Sequence, residues 1–121
     1  MAHTPAETAQ RTGLSIDTLR YYEREGLLGP VGRTSGGHRE YAEGDLAWLG
    51  IVTCLRDAGL GIADLREFTR LLREEPGEAG DAGEARVEFL RRRRADLTER
   101  RHTLDAAIRV LDGKIEHFSP V

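Results

Sequence analysis

The sequence predicts a mainly α-helical chain, in which a winged helix-turn-helix unit is followed by a long C-terminal helix that pairs with a second copy as an antiparallel coiled coil. Three observations carry this. A Thr-x-x-Glu helix start at Thr4 leads shortly into a second helix, a glycine-bearing hairpin with arginines on both arms runs from Arg33 to Tyr41, and apolar residues keep a heptad spacing from Val87 to Phe118.

The first helix begins at about Pro5, where the missing N–H of proline costs nothing, with Thr4 and Glu7 as a reciprocal cap. It ends at Thr12 and Gly13, and the break Thr12-Gly13-Leu14 opens directly into the next helix, which gives helix-turn-helix geometry. Ser15 is the expected N-cap of that second helix and Gly26 its stop. Asp17, Arg20, Tyr21 and Arg24 recur along one face, with Ile16 and Leu19 on the other. A helix that buries one stripe and turns an arginine and a phenol outward suits base-edge and phosphate contacts in a major groove, with Arg20 the foremost base reader.

Between Gly29 and Tyr41, Ser35-Gly36-Gly37 supplies the positive backbone angles of a tight turn, and Arg33 and Arg39 flank it on the arms. Such a wing can straddle phosphates. Two short helices need a third to close a core, and Glu43–Ala58 is expected to supply it through Trp48, Ile51, Leu55 and Ala58, with Gly59 as the stop. A further helix, Ile62 to about Arg73, carries Leu65, Phe68 and Leu72.

The order of these features closely resembles the MerR family of bacterial transcription regulators over residues 4 to about 72. The residues that carry the likeness are Arg20-Tyr21-Tyr22-Glu23-Arg24 before Gly26-Leu27-Leu28, the run Pro30, Arg33, Gly36-Gly37, Arg39, Tyr41, and a following helix with Asp64 and Leu65. The resemblance implies a homodimer on a pseudo-palindromic, double-stranded promoter site. It also implies a partnership with RNA polymerase, whose overlong promoter spacer the dimer bends and untwists. By position it implies DNA contacts from Ser15, Thr18, Arg20 and Tyr21, a phosphate or packing role for Tyr22, wing contacts from Arg33, His38, Arg39 and Tyr41, and a further phosphate ligand in Arg56. Gly61 departs from the serine or proline usual at the start of the fourth helix, which weakens a cap.

Composition sets bounds. The 121 residues are 39% hydrophobic, enough for one small domain and an extension, so a dimer is expected to complete the burial. No apolar run approaches a membrane span and no charged-then-apolar leader opens the chain. The expected location is therefore the bacterial cytoplasm, on the nucleoid when bound, with no membrane partner. The net charge of −3 runs against the usual basicity of DNA binders. Residues 1–73 hold nine arginines against ten acids, so affinity must come from the placement of a few arginines and from two-site binding by a dimer. That argues against a general nucleic-acid coating protein.

The acidic segment Glu74–Gly83 reads as a linker between a DNA-binding domain over 1–73 and a dimerisation helix over 84–118, with 119–121 as a tail. With Val87 at position a, the d sites are Leu90, Leu97, Leu104, Leu111 and Phe118, and Ile108 and Ile115 fill later a sites. Arg94 and Arg101 take the two remaining a sites. A parallel dimer would set each against its twin, whereas an antiparallel one separates them, as the resemblance also implies. The run Arg91–Arg94 reads as a solvated helix face, with Asp96 and Glu99 in reach for pairing.

No catalytic motif is present, and an enzyme is not expected. The four histidines are scattered and the cysteine pair of metal-sensing relatives is missing, so neither a metal nor a cofactor is expected. Cys54, the single cysteine, lies at the edge of the third helix's apolar face, two residues before Arg56. A nearby arginine favours a thiolate, and the surrounding residues resemble the branch of the family that responds to aldehydes and other electrophiles, NmlR/AdhR-like; the alternative is an inert core residue. At the level of the whole protein the alternative is a non-regulatory DNA-architectural or protein-interaction module built on the coiled coil.

Overall fold

A computed structural model describes residues 2–74 and 81–120. The chain forms two units, Met1–Pro76 and Gly77–Val121.

The N-terminal unit opens with a short strand, β1 (Ala2–His3), which the sequence did not announce. Helix α1 (Pro5–Thr12) follows, with the cap as expected: Glu7 N–H donates to the Thr4 hydroxyl at 3.1 Å and the Glu7 carboxylate accepts from Thr4 N–H. Gly13 ends it at φ +74°, a left-handed angle that lets its N–H return to the carbonyl of Ala9. Helix α2 (Ile16–Arg24) is capped by Ser15, which accepts from Thr18 N–H at 3.1 Å, and Gly26 turns the chain out of it at φ +75°.

The wing is β2 (Gly32–Arg33) paired antiparallel with β3 (Arg39–Ala42), Arg33 lying opposite Arg39. Its tip is closed by Thr34 N–H donating to the His38 carbonyl at 2.8 Å, with Gly37 at φ +83°. On its other side β3 pairs with β1, Tyr41 opposite His3, so the sheet has three strands in the order β1-β3-β2. Two residues are too few for a periodic signal, and only their pairing makes β1 a strand.

Helix α3 (Glu43–Asp57) starts with the Asp45 carboxylate accepting from Ala42 N–H at 2.9 Å. Its buried face is Asp45, Leu46, Trp48, Leu49 and Val52, which corrects the expectation of a core stripe through Ile51, Leu55 and Ala58. Ile51 is 46% exposed, Ala58 is exposed and Leu55 is half-buried. At about 100° per residue those three lie beside the core face, with Trp48 at the border, so α3 carries two apolar stripes and the unit covers one of them. Ile16 is likewise 38% exposed, since it occupies the first position of α2 before the helix turns inward at Leu19.

Helix α4 (Ile62–Thr69) buries Leu65 and Phe68 and continues into a π-helical turn, Arg70–Glu74. The carbonyl of Leu27 ties the unit together, accepting from Trp48 Nε1–H at 2.8 Å, with the Thr69 hydroxyl 3.2 Å away and shared with the Leu65 carbonyl at 2.8 Å. Around it pack Leu14, Leu19, Leu28, Leu49, Val52 and the two buried tyrosines, Tyr22 and Tyr41.

The second unit is one 38-residue helix, α5 (Asp81–Phe118). It begins three residues before the expected Glu84, because helix propagation tolerates Gly83 at a modest cost. Of the expected linker, residues 75–80 lie outside the described residues. Along α5 the heptad stripe stands uncovered within one chain: Val87, Leu90, Leu104, Ile108, Leu111, Ile115 and Phe118 are all exposed, and Leu97 is half-buried.

Candidate nucleic-acid interface

The first turn of α2 is fixed by Ser15, whose hydroxyl accepts from the Thr18 amide and donates to the Thr18 hydroxyl at 2.9 Å. Burial of Leu19 and Tyr22 sets the roll of the helix, which leaves Asp17, Arg20, Tyr21 and Arg24 outward as the sequence spacing requires. Arg20 is exposed and makes neither a hydrogen bond nor an ion pair among the described residues. Arg24 lies over the Tyr21 ring, 5.7 Å from its centroid, so a cation and a phenol share one patch.

The far end of α2 is clamped from two sides. Arg39 on β3 donates to the Glu23 carboxylate at 2.7 Å, and this carboxylate raises the arginine's already high pKa. Arg66 on α4 donates to the Glu25 carbonyl at 2.9 Å and pairs with the Glu25 carboxylate. Helix, wing and α4 are thereby held in one orientation before any ligand arrives, which lowers the ordering cost of binding. Neither acid has a role legible in the sequence: Glu23 enters only within the run Arg20–Arg24, and Glu25 is one more glutamate near a helix end.

The sequence-nominated residues divide. Arg20, Tyr21, Arg33, His38 and Ser15 are exposed, and Thr18 is half-buried on the same helix. Arg33 donates to the Gly37 carbonyl at 3.2 Å, which draws its guanidinium over the wing tip. Arg39 is half-buried and engaged with Glu23. Tyr22 is buried and its hydroxyl accepts from Arg56, which also donates to Asp57 at 3.0 Å. Of the two roles expected for Tyr22, packing is the one its burial serves. Tyr41 corrects an expectation: it is 1% exposed, packed beneath the sheet, with burial raising the pKa of its phenol, so it supports the wing from below.

The thiol of Cys54 is exposed, on the side of α3 away from the core. Arg56, expected to favour its thiolate, is instead directed to Asp57 and Tyr22. No three His, Cys, Asp or Glu side chains converge as a metal site would require, among the described residues. Nor is any described helix long and apolar enough to cross a membrane.

Comparison with known proteins adds to this geometry. The family described as MerR HTH family regulatory protein matches residues 4–72. The HTH-type transcriptional regulator AdhR of Bacillus subtilis is 48% identical over 69 residues, covering 57% of this chain and 49% of that protein. An uncharacterized HTH-type transcriptional regulator of Haemophilus influenzae is 41% identical over 68 residues, covering 56% and 50%. The chain thus spans about half the length of these curated relatives. Among solved structures, a MerR family transcriptional regulator from Listeria monocytogenes superposes with a TM-score of 0.85 at 35% identity, covering 96% of this chain and 85% of that one. HiNmlR, a MerR family regulator lacking the sensor domain and bound to promoter DNA, superposes with a TM-score of 0.81 at 29% identity, covering 96% and 89%.

Proposed function

The chain belongs to the MerR family of helix-turn-helix regulatory proteins, and from that premise we propose that it is a sequence-specific transcription regulator that binds promoter DNA as a homodimer. The observation that carries this reading is the pre-set pair of α2 and wing, with Arg20 unpaired on the outward face of α2 and Arg33 at the wing tip. A dimer places two recognition helices in major grooves on one face of a pseudo-palindrome, and distortion of the spacer between them is the means by which RNA polymerase is admitted. The promoter-bound HiNmlR structure supports the DNA partner.

Support for the homodimer comes from α5. Seven large apolar side chains of its heptad stripe are exposed on a single chain, and water favours covering them. Arg94 and Arg101 at seam positions favour the antiparallel pairing, in which neither meets its twin.

For the signal, Cys54 is the candidate. Its exposure supports this reading, because it leaves the thiol open to an aldehyde or another electrophile. Cys54→Ser is expected to keep DNA affinity and to lose promoter induction by an aldehyde; unchanged induction would remove the thiol from the mechanism.

The direct test of the function is selection of bound sites from a random double-stranded DNA library at a fixed moderate salt concentration. A palindrome with half-sites about two helical turns apart is expected. An unstructured selection would point instead to an interaction module.

A further inference from the structure

Most acids of the N-terminal unit already hold a partner. Glu7 pairs back to Thr4, Glu23 holds Arg39, Glu25 holds Arg66, Glu43 holds Arg11 and His3, and Asp45 and Asp57 hold Arg73 and Arg56. Asp17 differs. It is exposed in the first turn of α2 and makes neither a hydrogen bond nor an ion pair among the described residues. It shares the outward face with Arg20, Tyr21 and Arg24, at helical spacings of three, four and seven.

Ser15 already caps the turn, and the Asp17 carboxylate adds only the modest favourable interaction of an acid with a helix N-terminus. Against DNA, a fixed negative charge on this face is repelled by phosphates and by the acceptor edges of guanine and thymine. Adenine offers an amino group, but with the N7 acceptor beside it, which opposes the second carboxylate oxygen. Cytosine's own edge presents the N4 amino donor beside an apolar C5–H, the guanine O6 acceptor lying on the other side across the pair, and it is the base on which an aspartate gains most.

We propose that Asp17 is a specificity residue of the recognition helix, accepting from the N4 amino group of one cytosine in each half-site and rejecting the other three bases at that position. The proposal rests on the DNA-reading role assigned to α2 above. It gives the near-neutral unit a way to gain selectivity by repulsion, at the expense of non-specific affinity.

The test is parallel selection from a random duplex library by the full chain and by its Asp17→Ala, Asp17→Asn and Arg20→Ala variants, at one salt concentration. The unmodified protein is expected to select a C·G pair in each half-site. Replacing that pair should weaken its binding about 5- to 150-fold. Asp17→Ala should lose preference at that pair alone and bind random DNA more tightly, while Asp17→Asn should move the preference toward A·T, since asparagine pairs with adenine N6 and N7. Arg20→Ala should lose preference at a different pair. Identical motifs from the unmodified protein and Asp17→Ala would overturn the proposal and leave the regulator reading intact, as would a lost pair that is not C·G. No motif from the unmodified protein would overturn both. Thermal unfolding and sedimentation of each variant, expected to change little for so exposed a side chain, separate loss of reading from loss of fold.

Discussion

Arg20 makes no hydrogen bond or ion pair among the described residues, so its removal probes DNA reading largely apart from stability. Arg20→Ala is expected to shift unfolding by no more than about 0.5 kcal/mol, as exposed substitutions usually do, while specific binding falls about 5- to 150-fold at the base it reads. Equal loss on specific and random DNA would make it a phosphate contact instead. Tyr22 behaves in the opposite way. Tyr22→Phe removes the hydroxyl that Arg56 donates to and should cost about 1 kcal/mol in denaturant unfolding, with the fold kept because the ring remains packed. An unchanged midpoint would mean that Arg56 finds an equal partner in Asp57 or water.

Among the elements, α3 is the most consequential, because Trp48 both fills the core and donates to the Leu27 carbonyl. Trp48→Ala should cost about 3–5 kcal/mol, enough to unfold most of a small unit. Trp48→Phe should cost less, since an aromatic ring still fills most of the space and only the donor to that carbonyl is lost. The elements also predict a pH response. The Thr4 hydroxyl and amide hold the Glu7 carboxyl below its ordinary 4.5, and Arg11, then His3, do the same for Glu43, which fastens α1 and β1 to the start of α3. Carboxyls that titrate lower in the folded chain stabilise it fully above their unfolded value, and that contribution disappears as pH falls through the folded values. Denaturation midpoints should therefore drop as pH is lowered below about 4.5. The combined Glu7→Gln and Glu43→Gln variant should show a flatter decline, and an equally steep one would locate the acid sensitivity elsewhere.

On the scale of the whole molecule, the proposed homodimer is what can be tested. Ile108→Asp places a carboxylate in the apolar stripe and should give a monomer by sedimentation, with affinity for a two-half-site duplex reduced at least about 100-fold through loss of two-site binding. A persistent dimer would mean that the stripe is not the interface. Orientation can be tested separately. An antiparallel seam with a opposite d, run over its full length, sets Val87 against the partner's Phe118 and Arg94 against the partner's Leu111. It also brings Arg91 near the partner's Asp112. In a Cys54→Ser background, chains carrying Arg94→Cys should form mixed disulfides with chains carrying Leu111→Cys. Self-linked Arg94→Cys chains would indicate parallel pairing.

The sequence by itself determined the helices, the caps and the outward face of α2. Those depend on local rules: Thr4 and Glu7 are three residues apart, Ser15 precedes its own helix, and Arg20 and Tyr21 follow from a 3.6-residue repeat. The heptad stripe from Val87 to Phe118 was legible for the same reason. What only the tertiary structure decided involves residues distant in sequence. β1 is a strand because His3 meets Tyr41, Tyr41 is buried because the sheet closes over it, and Glu23 is a clamp because the wing brings Arg39 to it. The core stripe of α3 was misjudged because two apolar stripes share that helix, and periodicity cannot say which one its own chain covers. Local pattern fixes which faces exist; the partner each face meets is set by the path of the chain in space.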